Sequence, residues 1–279
     1  MSRIVLSLSL IFLINLFLHS LSTSAQEAED EREFDYIEGS KKGPRSWGNI
    51  KEEWGACNNG NMQSPIDLSK SHAAGAGSST QLLLINITYN PTNGILKNRG
   101  HDITIQWEGT AGLLHINGSK YSLKQSHWHS PSEHTLDGIR YVMELHMVYA
   151  SSDFNVKNKY AVVGVLYRFG QPDDFLSKLT QDIASMNDTL EQRNVGLLNP
   201  ADTKIDGRRY YNYVGSLTVP PCTQDVLWIV VEKVKTVSSE QVDLLRQAVH
   251  DHSTLNARPV QPRNRREIHY HGPKPNGPY

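Results

Sequence analysis

The sequence predicts a mainly β protein with a few short helices, a single domain built on a large, mostly antiparallel sheet. Apolar runs of strand length, alternating or continuous, recur at 82–89, 103–107, 160–169 and 226–234, with turn residues between them. Helical patterns are confined to 174–185 and 240–249. No internal repeat, nucleotide-cradling glycine loop or composition break marks a second domain, and 38% hydrophobic with 20% charged residues is the balance of one folded globular unit.

The elements follow in order from the amino terminus. Arg3 precedes an apolar run over 4–18, and small residues lead to Ser24-Ala25, the layout of a secretory signal peptide (1–25) with cleavage expected after Ala25. That run is too short to favour a membrane span, and no other stretch comes near the required length. Residues 26–33 read as an acidic arm: 27–38 holds seven acidic side chains and one arginine, the composition of a solvated segment rather than a binding site. Without Arg3 the count is 27 basic against 29 acidic side chains, which offers nothing to nucleic acid.

A Gly/Ser/Ala stretch over 73–80 reads as a loop before the 82–89 strand. Asn117-Gly118 between apolar runs at 113–116 and 120–123 predicts a hairpin turn. Strands are expected over 123–130 and 141–149, and Ser238 with Gln241 forms a capping box ahead of the 240–249 helix. The tail after 263 is basic and rich in proline, and 269–279 is expected to be flexible. Secretion gives meaning to three N-glycosylation acceptors, at Asn86, Asn117 and Asn187, each with a hydroxyl residue two places on. Cys57 and Cys222 are the two cysteines, and in an oxidising lumen they can pair within the chain in one way.

The chemistry concentrates in His127, His129 and His146. Residues two apart on a strand share a face, so His127 and His129 project together, and alternation over 141–149 puts Val142, Glu144, His146 and Val148 on one face. Three imidazoles with an open fourth position suit catalytic Zn2+. A lone His-x-His is more often two polar residues on a solvated face. Here Gln125 and Glu144 each lie two residues before a candidate ligand and can accept its second ring N–H. His127-x-His129-x3-Glu133 also meets the core of the cupin motif, with Glu133 as a ligand, but the later Pro-x-Gly-x-x-His segment of that motif is absent.

The same residues belong to a longer set: Gly43-Pro44-x-x-Trp47-Gly48, Gln63-Ser64-Pro65-Ile66-Asp67, Ser130-Pro131-Ser132-Glu133-His134-Thr135, Glu144-Leu145-His146, Gly215-Ser216-Leu217-Thr218-x-Pro220-Pro221 and Asn256-x-Arg258-Pro259-x-Gln261-Pro262. Over about 34–266 the chain resembles the alpha-class carbonic anhydrases, in particular the plant members. The resemblance implies a domain over 34–268 with a central sheet of about ten strands and zinc at the bottom of a cavity. It also implies reversible hydration of carbon dioxide to bicarbonate and a proton by zinc-bound hydroxide.

By the same resemblance Thr218 orients the nucleophile while donating its hydroxyl hydrogen to Glu133. His101 serves as proton shuttle, Val148, Val162, Leu217, Val219 and Trp228 line the substrate pocket, and Asn256 joins Gln125 and Glu144 behind the ligands. Val219 stands where many members carry a second threonine, so altered anion affinity is expected. Some plant relatives serve mainly in storage, which makes a storage or carbohydrate-binding protein the alternative; the intact ligand set favours catalysis. The expected destination is the cell exterior, with the plastid reached through the secretory route as the alternative.

Overall fold

In the computed structural model, which describes residue 27 and residues 31–71, 73–74, 85–186, 191–205, 207–249 and 255–272, twelve strands form one mixed sheet. Ten of them run across it in the order Gln192–Leu198, Thr92–Asn98, Ile103–Trp107, Ser119–His129, Met143–Ala150, Tyr160–Phe169, Gln224–Val237, Tyr210–Ser216, Ile268–His271 and Ala73–Ala74. Ile85–Tyr89 pairs with Gly112–Ile116, which extends Ser119–His129. Within this sheet the pairings are antiparallel except for Tyr160–Phe169 with Gln224–Val237 and Ile268–His271 with Ala73–Ala74. Asp67–Leu68, Thr135–Leu136 and Ile139–Arg140 form a separate three-stranded sheet.

Alternation sorts the central strands into two faces. Trp128, Leu145, Met147, Val163, Val165, Ile229 and Val231 face one side and pack with Phe175, Leu176, Ile183, Val242 and Leu245 of the helices. Val148, Val162, Trp228 and Val230 face the other side and pack with Ile66, Leu68, Tyr211, Tyr213 and Leu217. Covered on both faces, Tyr160–Phe169 and the first half of Gln224–Val237 are apolar almost without interruption, as buried parallel neighbours are. A third cluster joins Phe34, Trp47, Trp54, Val219 and the Cys57–Cys222 disulfide, whose Cα atoms are 5.0 Å apart.

The helix Ser239–Ala248 begins as expected: Ser238 Oγ accepts from the Gln241 N–H, and Gln241 Oε1 accepts from the Ser238 N–H. The single helix expected over 174–185 is instead two pieces, Asp174–Ser177 and Thr180–Ala184. Bonds from the Lys178 and Leu179 N–H groups to the carbonyls three residues back tighten the chain between them. Leu176, Leu179 and Ile183, at the i, i+3, i+7 spacing of one helix face, stay buried across the break.

The carboxyl-terminal expectation is corrected in part. Ile268–His271 is a strand paired with Tyr210–Ser216, and cross-strand aromatic pairs hold it: Tyr210 stacks on His271 at 4.7 Å and Tyr211 meets Tyr270 at 5.1 Å. Basic and proline-rich composition hides such pairs, because they depend on a strand some 60 residues away. Residues 273–279 lie outside the described residues, as do the signal peptide and the Asn187 acceptor. The arm is also corrected at one point, since Glu27 is buried at 9% exposure. Asn86 and Asn117 are exposed, Asn117 with Gly118 at positive φ in the expected hairpin turn. Among the described residues no helix is long and apolar enough to cross a membrane.

Candidate metal centre

Ser119–His129 and Met143–Ala150 pair antiparallel with His146 opposite His127 and Glu144 opposite His129. Opposite residues in such a pair share a face, so this register brings the three imidazoles together. Their ring centroids are 4.6 to 5.1 Å apart, and one nitrogen from each ring lies within 4.8 Å of the others. All three residues are 1% exposed.

The outer ring nitrogens decide what the inner ones present. His127 Nδ1–H donates to Gln125 Oε1 at 2.8 Å, and His129 Nδ1–H donates to the Asn256 carbonyl at 2.6 Å. Carbonyl oxygens only accept, so in the neutral rings both Nε2 atoms carry bare lone pairs. Those two atoms are buried 3.1 Å apart. Two acceptors at that distance repel unless a cation lies between them. Burial, with His129, Arg99 and His146 adding to it, pushes the His127 pKa well below its ordinary value. At His129 burial acts downward too, but Glu133 and the Asn256 carbonyl outweigh it and the net direction is up. The donor set of three neutral imidazoles matches Zn2+.

Glu144 organises the far side of His146. Its Oε1 lies 3.0 Å from His146 Nε2 and accepts from His134 Nδ1–H at 2.7 Å, while Oε2 accepts the Glu133 and His134 N–H groups at 2.9 and 2.8 Å. Burial works to raise its pKa, but His134 and His146 override it and hold the carboxyl well below the usual range. His134 Nε2 is 2.7 Å from the Tyr213 hydroxyl, which is 2.8 Å from Ser64 Oγ. In the sequence His134 and Ser64 stand as motif members without an assigned role, and Tyr213 is unmarked. Their joint presence in quoted motifs was the available signal.

Gly164 lies opposite His146 on the next strand, and a Cβ there would be 2.8 Å from Glu144 Oε1. Gly164→Ala therefore displaces the carboxylate from His146. We expect metal affinity to fall by about 10- to 100-fold, the range for groups behind a ligand, with the fold retained, read as a zinc dissociation constant by chelator competition. Unchanged affinity would separate Glu144 from metal binding.

Glu133 and Thr218 depart from expectation. Glu133 is fully buried, its Oε1 accepts the Arg258 N–H at 2.8 Å, and its Oε2 has no hydrogen-bond partner. The expected Thr218 to Glu133 bond is thus not formed. Oε2 instead lies 3.6 Å from His129 Nε2 and 4.0 Å from His146 Nδ1, drawn toward the imidazoles. Asn256 is beside the site as expected, but its carbonyl carries His129 while its side chain bonds Ser130 N–H, the His101 carbonyl and the Trp128 carbonyl.

Val148, Val162, Leu217 and Trp228 form one buried cluster, with the Trp228 ring 4.8 Å from that of His146. Val219 leaves this group: it packs in the disulfide cluster with Phe34 and Trp47, because the chain turns at 219–222 and carries it away from Leu217. His101 is 8% exposed, its ring is flanked by Phe34 and Tyr36, and its Nε2–H donates to the Phe34 carbonyl at 2.7 Å.

Residues 42–272 match the family described as eukaryotic-type carbonic anhydrase. The chain is 49% identical to carbonic anhydrase Nec1 of Nesocodon mauritianus, with 94% of each chain covered. It is 47% identical to alpha carbonic anhydrase 7 of Arabidopsis thaliana, with 96% of this chain and 98% of that one covered. Among solved structures, dioscorin complexed with ascorbate superposes with a TM-score of 0.81 at 42% identity, covering 87% of this chain and 99% of dioscorin. With this fold, this histidine cluster and these relatives, the chain belongs to the eukaryotic-type carbonic anhydrase family.

Proposed function

We propose that the protein is a zinc-dependent enzyme that hydrates carbon dioxide reversibly to bicarbonate and a proton. The observation that carries this reading is the pair of buried, facing Nε2 lone pairs of His127 and His129, with His146 beside them. These three residues would hold the ion. Zinc bound there supplies Lewis acidity and a hydroxide nucleophile at neutral pH, the property for which carbonic anhydrases are the reference case.

The remaining work falls to the chain's own groups. Gln125 and the Asn256 carbonyl keep the inner nitrogens unprotonated, and Glu144 steadies His146. Val148, Val162, Leu217 and Trp228 offer an apolar wall to an apolar, linear substrate. Glu133 Oε2, which has no partner, would be the acceptor for the Thr218 hydroxyl once that bond, not formed here, is made, and Thr218 then orients the attacking group. His101, whose imidazole can take up and release a proton, exports it. Entry to the secretory route by the leader over 1–25, with glycans at Asn86 and Asn117, belongs to the same reading.

Thr218→Ala should keep its zinc and lose rate by about 100-fold, because it removes orientation without touching coordination. Metal content falling together with rate would reject that role. The likeness to dioscorin favours a second reading, a storage or small-molecule-binding protein. A stopped-flow hydration assay on the purified protein separates the two: the enzyme accelerates hydration and the storage protein does not.

A further inference from the structure

We propose that Glu27 is a positioning residue for the metal centre: its carboxylate fixes the orientation of the Gln125 amide and, through it, the tautomer of His127. The proposal rests on His127 being a metal ligand. Glu27 belongs to the segment whose composition reads as a solvated arm, yet its side chain is 7% exposed and its Oε2 accepts two bonds. Gln125 Nε2 donates to it at 2.5 Å and Arg99 Nη1 donates to it at 2.9 Å. Arg99 is itself fixed by Asp102, through Nε at 2.8 Å and through Nη2, and Thr104 Oγ1 donates to the same Asp102 at 3.0 Å.

The consequence lies in the chemistry of a primary amide. Its two orientations are nearly equal in shape and opposite in hydrogen bonding. With Glu27 in place the NH2 group must face the carboxylate, because a carboxylate only accepts. The amide oxygen then faces His127 and accepts its Nδ1–H at 2.8 Å. The Nε2 lone pair is left pointing at His129 and His146. With the amide reversed, its oxygen would stand against Glu27, and its NH2 would require an acceptor at His127 Nδ1. The neutral ring would then carry its hydrogen on Nε2, where it cannot bind a metal. Glu27, 100 positions away in the sequence, thus sets the ligand's tautomer through Gln125.

The test measures zinc affinity by chelator competition and the His127 tautomer by nitrogen NMR on the metal-free protein, using the full secreted product. Glu27→Ala should weaken affinity about tenfold and move part of the His127 population to the Nε2–H form. Glu27→Gln, which can still accept from Gln125 through its own amide oxygen, should retain most of the affinity. In a Gln125→Ala background the Glu27→Ala change should add nothing. Affinity and tautomer unchanged in Glu27→Ala, or equal further loss in the Gln125→Ala background, would overturn the proposal. If the unaltered protein binds no zinc, the metal reading fails, and the tautomer still decides whether Glu27 acts through Gln125. If Glu27→Ala does not fold, a loss of affinity in Glu27→Gln as large as in Gln125→Ala contradicts the amide account.

Discussion

His127→Ala, His129→Ala and His146→Ala are each expected to lose most bound zinc and to cut carbon dioxide hydration by more than about 100-fold, beyond the range for groups behind the ligands. Each change removes one of three donors whose inner nitrogens lie within 4.8 Å of one another, and two imidazoles make a far weaker site. The fold should survive, since the site occupies one face of the sheet while the larger apolar cluster occupies the other. Metal content by mass spectrometry with far-ultraviolet circular dichroism checks both parts. Wild-type zinc and rate in any one variant would remove that residue from the ligand set.

Loss of the Cys57–Cys222 bond should have the next largest effect. It closes a loop spanning 165 residues, for which chain entropy sets an upper stabilisation of roughly 5 kcal/mol, or on the order of 10 to 20 °C in melting temperature for a domain of this size. Its place also links it to the site. Cys222 ends the turn that follows Thr218, while the Cys57 carbonyl accepts from Arg258 Nη2 at 2.8 Å. Arg258, buried with its pKa pushed down to about 10, donates its backbone N–H to Glu133 and reaches Gln63 and the Ser64 carbonyl with Nη1. Thr218 and Glu133 are therefore held from the two sides of one bond. Titration with reductant should lower the hydration rate before the tryptophan signal reports global unfolding. Rate and unfolding lost together, or neither changed, would contradict this coupling.

The histidine cluster was legible because strand geometry has a period of two, and Gln125, His127 and His129 need only that period to share a face. The same rule supplied Glu144 and His146. Pairing between the two strands, with His146 opposite His127, depends on register across the 130–142 connection, which itself holds Thr135–Leu136 and Ile139–Arg140, and is not written in either segment alone. The resemblance places Asn256 behind the ligands, but that His129 is supported by its backbone carbonyl was hidden, because any residue at 256 could offer one. Tyr213 and Glu27 reach the site from strand and arm positions whose local composition shows only an aromatic strand or an acidic run. The edge strand Gln192–Leu198 and its neighbour Thr92–Asn98 escaped because they are partly exposed and carry glycine and asparagine.

The central claim is that these three histidines hold one zinc ion whose chemistry hydrates carbon dioxide. Titrating the chelator-stripped protein with Zn2+ while following hydration by stopped flow tests it most directly. No activity is expected before addition, then a linear rise to one equivalent and no increase beyond it. Full activity in the stripped protein, or none at one bound equivalent, would contradict it.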